Sequence, residues 1–226
     1  MISRRRLLGL ALSTFALERL AISDAFAAGA DISHGPRTKT EVALTFHGAG
    51  EISIARDLLA IASDNKTPIT VMAVGNWLKA NPQIGKSILS AGNELGNHTF
   101  NHQAMLHLNY KQALSEIEKG KAAIKASVGS AQKYFRPSGT PKSNATIRKA
   151  AYAAGYANCI TYDVDTLDYQ DPSVAAIVKN CMNNVKNGSI VSLHFGHKNT
   201  VKALPKLIQE LKSAGLAPVT VSQLLS

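Results

Sequence analysis

The chain has 226 residues and a mass of 24.0 kDa, with 45% hydrophobic and 18% charged residues. Those proportions describe one folded globular domain and exclude a disordered or fibrous chain. Two cysteines are too few for a disulfide scaffold or a Cys-rich zinc module, and no apolar run reaches the roughly 18 residues of a stable membrane span. The formal charge is +10, from 25 Lys and Arg against 15 Asp and Glu. The lysines are scattered and not interleaved with aromatics, so the pattern reads as a solvated basic surface and not as a nucleic-acid interface. Such a surface attracts polyanions, an anionic cell-wall polymer among them.

The first segment reads as an address. Ser3-Arg4-Arg5-Arg6-Leu7-Leu8 opens an apolar stretch to Leu17, and Ala25-Phe26-Ala27 supplies a small-x-small cleavage signal. Residues 1–27 are therefore expected to be a signal peptide, with the arginine pair after Ser3 resembling the twin-arginine type. Its removal takes four basic and two acidic residues and leaves a net charge of +8. The mature protein is expected to be exported, periplasmic or extracellular. Cys159 and Cys181 could pair there, but a twin-arginine substrate folds before export, where thiols stay reduced. Two buried small apolar residues are the simpler expectation.

Residues 28–40 are polar and turn-rich and read as a linker to a domain spanning 41–226. Strands are predicted at 41–47, 69–73, 94–96, 133–136, 157–163, 189–194 and 217–219. Helical spacing covers 52–64, 84–91, 110–127, 144–154, 173–186 and 200–214. This alternation predicts an α/β fold, a distorted and incomplete (β/α) barrel of about seven parallel strands. In such folds the chemistry sits at the carboxyl ends of the strands, which directs attention to His47, Asn97-His98, Arg136, the run from Asp163 and His194. Trp77 reads as core, and Tyr110, Tyr152, Tyr156 and Tyr162 as packing residues.

The strongest local pattern is Gly96-Asn97-His98-Thr99-Phe100-Asn101-His102. Two histidines four apart share one face if the segment is helical, and together they can hold a divalent metal. Taken with Ala43-Leu44-Thr45-Phe46, Phe135-Arg136-Pro137, Asp163-Val164-Asp165-Thr166-Leu167-Asp168-Tyr169 and Leu193-His194, the pattern resembles the polysaccharide deacetylases of carbohydrate esterase family 4, the NodB homology domain. The resemblance runs in order through residues 41–226.

That resemblance implies a metal-dependent hydrolase removing N-acetyl groups from an extracytoplasmic polysaccharide such as peptidoglycan. It implies a divalent metal, zinc above all, on His98 and His102. His194 would be the acid, oriented by Asp168, with Arg136 bracing the base, and Tyr169, Leu193 and Ser138 would line the substrate pocket. The family's two Asp after Thr-Phe, a base and a metal ligand, are replaced here by His47-Gly48-Ala49-Gly50. His47 is expected either to complete a three-His metal site or to act as base. Glu51 or an Asp of 163–168 is a further candidate for base or ligand, and Asp163 or Asp165 for partner of Arg136. Ser192 stands where an apolar residue usually lines the acyl pocket. The lost carboxylates leave two alternatives open: an inactive glycan-binding member of the fold, or a related hydrolase of non-peptide C–N bonds acting on a non-sugar amide.

Overall fold

The computed structural model describes residues 29–226, so the leader expected at 1–27 lies outside the described residues. Strands β1 (Asp31–Ile32), β2 (Glu41–Gly48), β3 (Thr70–Ala73), β4 (Glu94–Asn97), β5 (Cys159–Ile160), β6 (Val164–Asp165), β7 (Ile190–His194) and β8 (Ala217–Val219) alternate with helices. These are α1 (Ile52–Asp64), α2 (Gly75–Ala80), α3 (Pro82–Ser90), α4 (Tyr110–Val128), α5 (Ala145–Ala153), α6 (Val174–Met182), α7 (Lys198–Ser213) and α8 (Val221–Leu224). Side-chain caps fix several helix starts: Asn109 and Thr220 form capping boxes with Gln112 and Gln223, and Asn144 and Ser173 accept from the third backbone N–H beyond.

The main sheet runs β4-β3-β2-β7-β6, all parallel, with β8 on the start of β2. The ring continues from β4 through single bridges, Asn97 to Phe135 and Phe135 to Cys159. One bent run, 159–165, then crosses from Phe135 to β7, pairing at its start through β5 and at its end through β6. The barrel is thus distorted and incomplete. Alternation along β2 separates two cores. Val42, Leu44 and Phe46 meet Leu58, Leu204 and Leu207 of the helical layer, whereas Ala43 packs in the interior with Met72, Ile160 and Ile190, above Val221 and Leu224 of α8. Thr45 and His47 follow Ala43 on that inner face.

Three expectations need correction. The predicted strand 133–136 is only the Phe135 bridge, because Pro137 has no N–H to extend a ladder. Of the strand predicted at 157–163 only β5 forms; the chain bends at Asp163, and β6 follows at 164–165, beyond the predicted end. The segment expected as a linker carries β1, which pairs with β5, and is tied further by Gly35 N–H to Gly188 O (2.7 Å) and by Arg37 to Asp163 (2.6 Å). These bonds use backbone groups and one distant carboxylate, which composition does not show. Cys159 and Cys181 are buried free thiols in different apolar clusters, each pushed up to about 12 chiefly by burial. None of the described helices is long and apolar enough to cross a membrane.

Candidate active site

Parallel register brings the polar residues together at one end of the barrel. His47, near the end of β2, is directly opposite His194, the last residue of β7. His98 follows β4 and donates its backbone N–H to Ala73 O (3.0 Å). Arg136 follows Phe135 and donates its own to Asn97 O (2.9 Å).

These side chains form one continuous hydrogen-bond chain. Arg136 Nη1 lies 3.2 Å from His47 Nε2, His47 Nδ1 lies 2.7 Å from His194 Nε2, and His194 Nδ1 lies 2.7 Å from Asp168 Oδ1. A guanidinium only donates, so His47 Nε2 carries a lone pair and its proton sits on Nδ1. His194 Nε2 must accept that proton's hydrogen bond, which puts the His194 proton on Nδ1, facing the carboxylate. Asp168 is fully buried, and its Oδ2 also accepts from the His194 backbone N–H (2.8 Å) and Thr200 Oγ1 (2.7 Å). Three donors satisfy this carboxylate, and Thr200 is one the sequence did not single out.

The expected partner of Arg136 is corrected. Asp163 is taken by Arg37, Ser189 and the Ile190 N–H, and Asp165 accepts from the Leu167 N–H. The buried guanidinium instead donates to Ile160 O (3.1 Å), Thr161 O (3.0 Å) and His47, and lies 5.4 Å from the Tyr162 ring. Burial lowers it to about 10, against the upward pull of Tyr162 and Asp165, so it remains a cation at neutral pH. Tyr162, expected as packing, therefore borders the site.

His98 Nδ1 is 2.9 Å from Arg136 O, while its Nε2 is buried with no hydrogen-bond partner. A carbonyl fixing one ring nitrogen and a free lone pair on the other is the arrangement of a metal-bound imidazole. The His102 ring lies 4.9 Å away. A helix does not bring the two together. The segment is irregular, with Thr99 and His102 at φ 65° and 57°, braced by Thr99 Oγ1 to Ser138 Oγ (3.0 Å) and Asn101 to Glu116. The donors present thus fit two positions of a divalent metal site. The three-His site is not formed: His47 stacks on His98 with centroids 4.3 Å apart, and both its nitrogens are already engaged. No group of three or more His, Cys, Asp or Glu among the described residues is placed to hold a metal.

Two pocket expectations also change. Ser138 is buried and donates to Gln103 O (2.6 Å), bracing the histidine loop. Leu193 alternates outward into the main core, because His194 takes the inward direction. Tyr169 does stand at the mouth, 45% exposed and 5.3 Å from the His194 ring. Glu51 is exposed at the start of α1 and bonds no site residue. Ser192, inward below His194, has a buried hydroxyl without a partner.

The residues standing in place of the family's carboxylates are closely fitted. A Cβ on Gly48 would come within 2.8 Å of Val71 Cγ1 and 3.1 Å of Ala73 Cα. Gly50, at φ 87°, meets Gly196 of the loop after β7, where a Cβ would lie 2.6 Å from Gly196 Cα. The Trp77 indole donates to Gly50 O (2.9 Å), and the Phe195 N–H to His47 O (3.0 Å).

Burial, followed by the neighbouring His and Arg charges, holds His47 well below the usual imidazole range. Burial and His102 do the same for His98, and burial lowers His102. Unfolded imidazoles titrate near ~6.5, so on acidification the unfolded chain binds these protons first. The stability these neutral rings contribute is complete above about pH 6.5 and is lost as pH falls toward their folded values, by about 1.4 kcal/mol per pH unit for each proton. Metal-free protein should therefore show a thermal midpoint falling between pH 7 and 5, less steeply in His98→Gln. Equal slopes would contradict this.

The polysaccharide deacetylase family model matches residues 34–159. A peptidoglycan-N-acetylglucosamine deacetylase of Bacillus cereus is 32% identical over 84% of this chain and 90% of its own length. A bifunctional xylanase/xylan deacetylase of Cellvibrio japonicus is 32% identical over 78% of this chain but 26% of its own. Among solved structures, a CE4 family pseudoenzyme from Bacillus anthracis superposes with a TM-score of 0.82 at 27% identity, covering 87% of this chain and 69% of that one. A peptidoglycan N-acetylglucosamine deacetylase gives 0.81 at 27%, over 87% and 92%. The fold and site define a deacetylase-type hydrolase. The chain belongs to the polysaccharide deacetylase family, CE4, which holds generally metal-dependent hydrolases of the C–N bond of acetyl groups and also the pseudoenzyme above.

Proposed function

We propose that this protein removes N-acetyl groups from an extracytoplasmic polysaccharide, with peptidoglycan the leading candidate. The observation that carries the reading is the unbroken chain Arg136–His47–His194–Asp168 at the strand ends. The N-terminal leader pattern supports the location, and the B. cereus relative supports the polymer.

In the resting chain the lone pair of His194 Nε2 accepts the His47 Nδ1–H, and it takes a proton from the attacking water when that water displaces this hydrogen bond. The imidazolium so formed faces buried Asp168, which holds the ring in orientation, and it returns the proton to the leaving amine nitrogen. His47, kept neutral, aims its Nδ1–H at His194 Nε2 and fixes that ring from the other side. Arg136 sets the direction of the chain by occupying His47 Nε2, so His47 is an orienting residue and neither the base nor a ligand. His98 and His102 would hold a divalent metal, zinc being suited to imidazole donors, and the metal would polarise the acetyl carbonyl.

One observation favours a second reading, a glycan binder without catalysis: no third donor joins His98 and His102. Acetate release from a tetrasaccharide of N-acetylglucosamine by zinc-supplied mature protein separates the two. Many acetates per protein are expected, with release lost in His98→Ala and His194→Ala. Binding without acetate, whichever divalent metal is added, would establish the second reading.

A further inference from the structure

A second His–Asp pair stands beside the first. The short 3-10 turn Asp168–Gln170 ends at Asp171, and three residues per turn put Asp168 and Asp171 on one face. Three residues also separate His194 from His197, and the pairs match: His197 Nδ1 lies 3.0 Å from Asp171 Oδ1. The inner pair is built around a fully buried carboxylate, whereas Asp171 is open to solvent. The outer pair is nevertheless held in place. Asp171 sits at φ 50°, Asn199 Nδ2 donates to Pro172 O (3.0 Å), and His197 is the N-cap of α7. The His197 ring lies 6.1 Å from that of His194 and nearly perpendicular to it, on the rim that also carries Tyr169. With Nδ1 tied to Asp171, its Nε2 is the atom left to meet a ligand.

We propose that His197, oriented by Asp171, is a substrate-contacting residue that hydrogen-bonds a hydroxyl of the sugar next to the one bearing the acetyl group. It gives the site a preference for chains over short fragments. The identity of the ligand rests on the deacetylase reading, but the contact does not depend on turnover. An imidazole held at one nitrogen has already lost the rotamer freedom that binding would otherwise cost.

Calorimetric titration with N-acetylglucosamine itself and with its tetrasaccharide tests this in wild type, His197→Ala, His197→Asn and Asp171→Asn. The expected result is tetrasaccharide binding weakened about three- to tenfold in His197→Ala, the range of one net hydrogen bond. Monosaccharide binding and thermal midpoint should be unchanged, Asp171→Asn intermediate, and His197→Asn largely rescued. Equal weakening for monosaccharide and tetrasaccharide, no weakening, or no tetrasaccharide binding by wild type would overturn the proposal. Length-dependent binding through His197 without acetate release would uphold it and defeat only the deacetylase reading.

Discussion

Asp168→Asn is expected to lower kcat/KM for deacetylation by about 10²- to 10⁴-fold, the usual contribution of a positioned acid–base group. The physical reason extends beyond one lost charge. Asp168 accepts from the His194 ring, the His194 backbone and Thr200, and an amide offers one acceptor oxygen to these three donors. If its NH₂ group faces His194 Nδ1, that ring must move its proton to Nε2, where it meets the Nδ1–H of His47. The chain then reverses at the link to the substituted side chain and breaks between His194 and His47. Tetrasaccharide affinity, measured alongside, should change little, since Asp168 is buried away from the mouth. A variant with near wild-type kcat/KM would show that His194 does not act through Asp168.

Gly50→Ala is expected to destabilise the protein by about 2–4 kcal/mol in chemical denaturation, combining left-handed backbone strain with a steric conflict. Its Cβ would lie 2.6 Å from Gly196 Cα, and backbone on both sides leaves no flexible side chain to give way. The loop after β2 follows His47 and the loop after β7 follows His194, so the same change should pull the two rings apart and reduce activity in the protein that still folds. An unaltered denaturation midpoint would refute this fit. Gly48 gives the related lesson: a carboxylate restored there would strike Val71 and Ala73, so this segment is adapted to a different set of contacts.

Much of the architecture was legible because apolar periodicity is a direct record of burial. Helix 52–64 and strand 217–219 were placed at their observed limits, and the barrel followed from alternation. The misses share a cause. Strand β1, the Phe135 bridge and the bend between β5 and β6 depend on backbone pairing over one or two residues, too short for any period. At the site, residue types located His47, His98, Arg136, Asp168 and His194. Which nitrogen of His47 faces which neighbour is a matter of register between β2 and β7 and of the Arg136 side-chain direction, neither written in local sequence. The outward direction of Leu193 was legible in principle, since strand alternation forbids it to share the inward face of His194. The buried brace made by Ser138 was not, because it depends on a loop 35 residues away.

The central claim is that His47 belongs to a single acid–base chain and is not a metal ligand. Nitrogen-15 NMR of the histidine rings in zinc-loaded protein at neutral pH tests it most directly. The account predicts His47 and His194 both protonated at Nδ1 and bare at Nε2, with the metal-induced shifts confined to His98 and His102. A metal-bound His47, or a His47 protonated at Nε2, would contradict it.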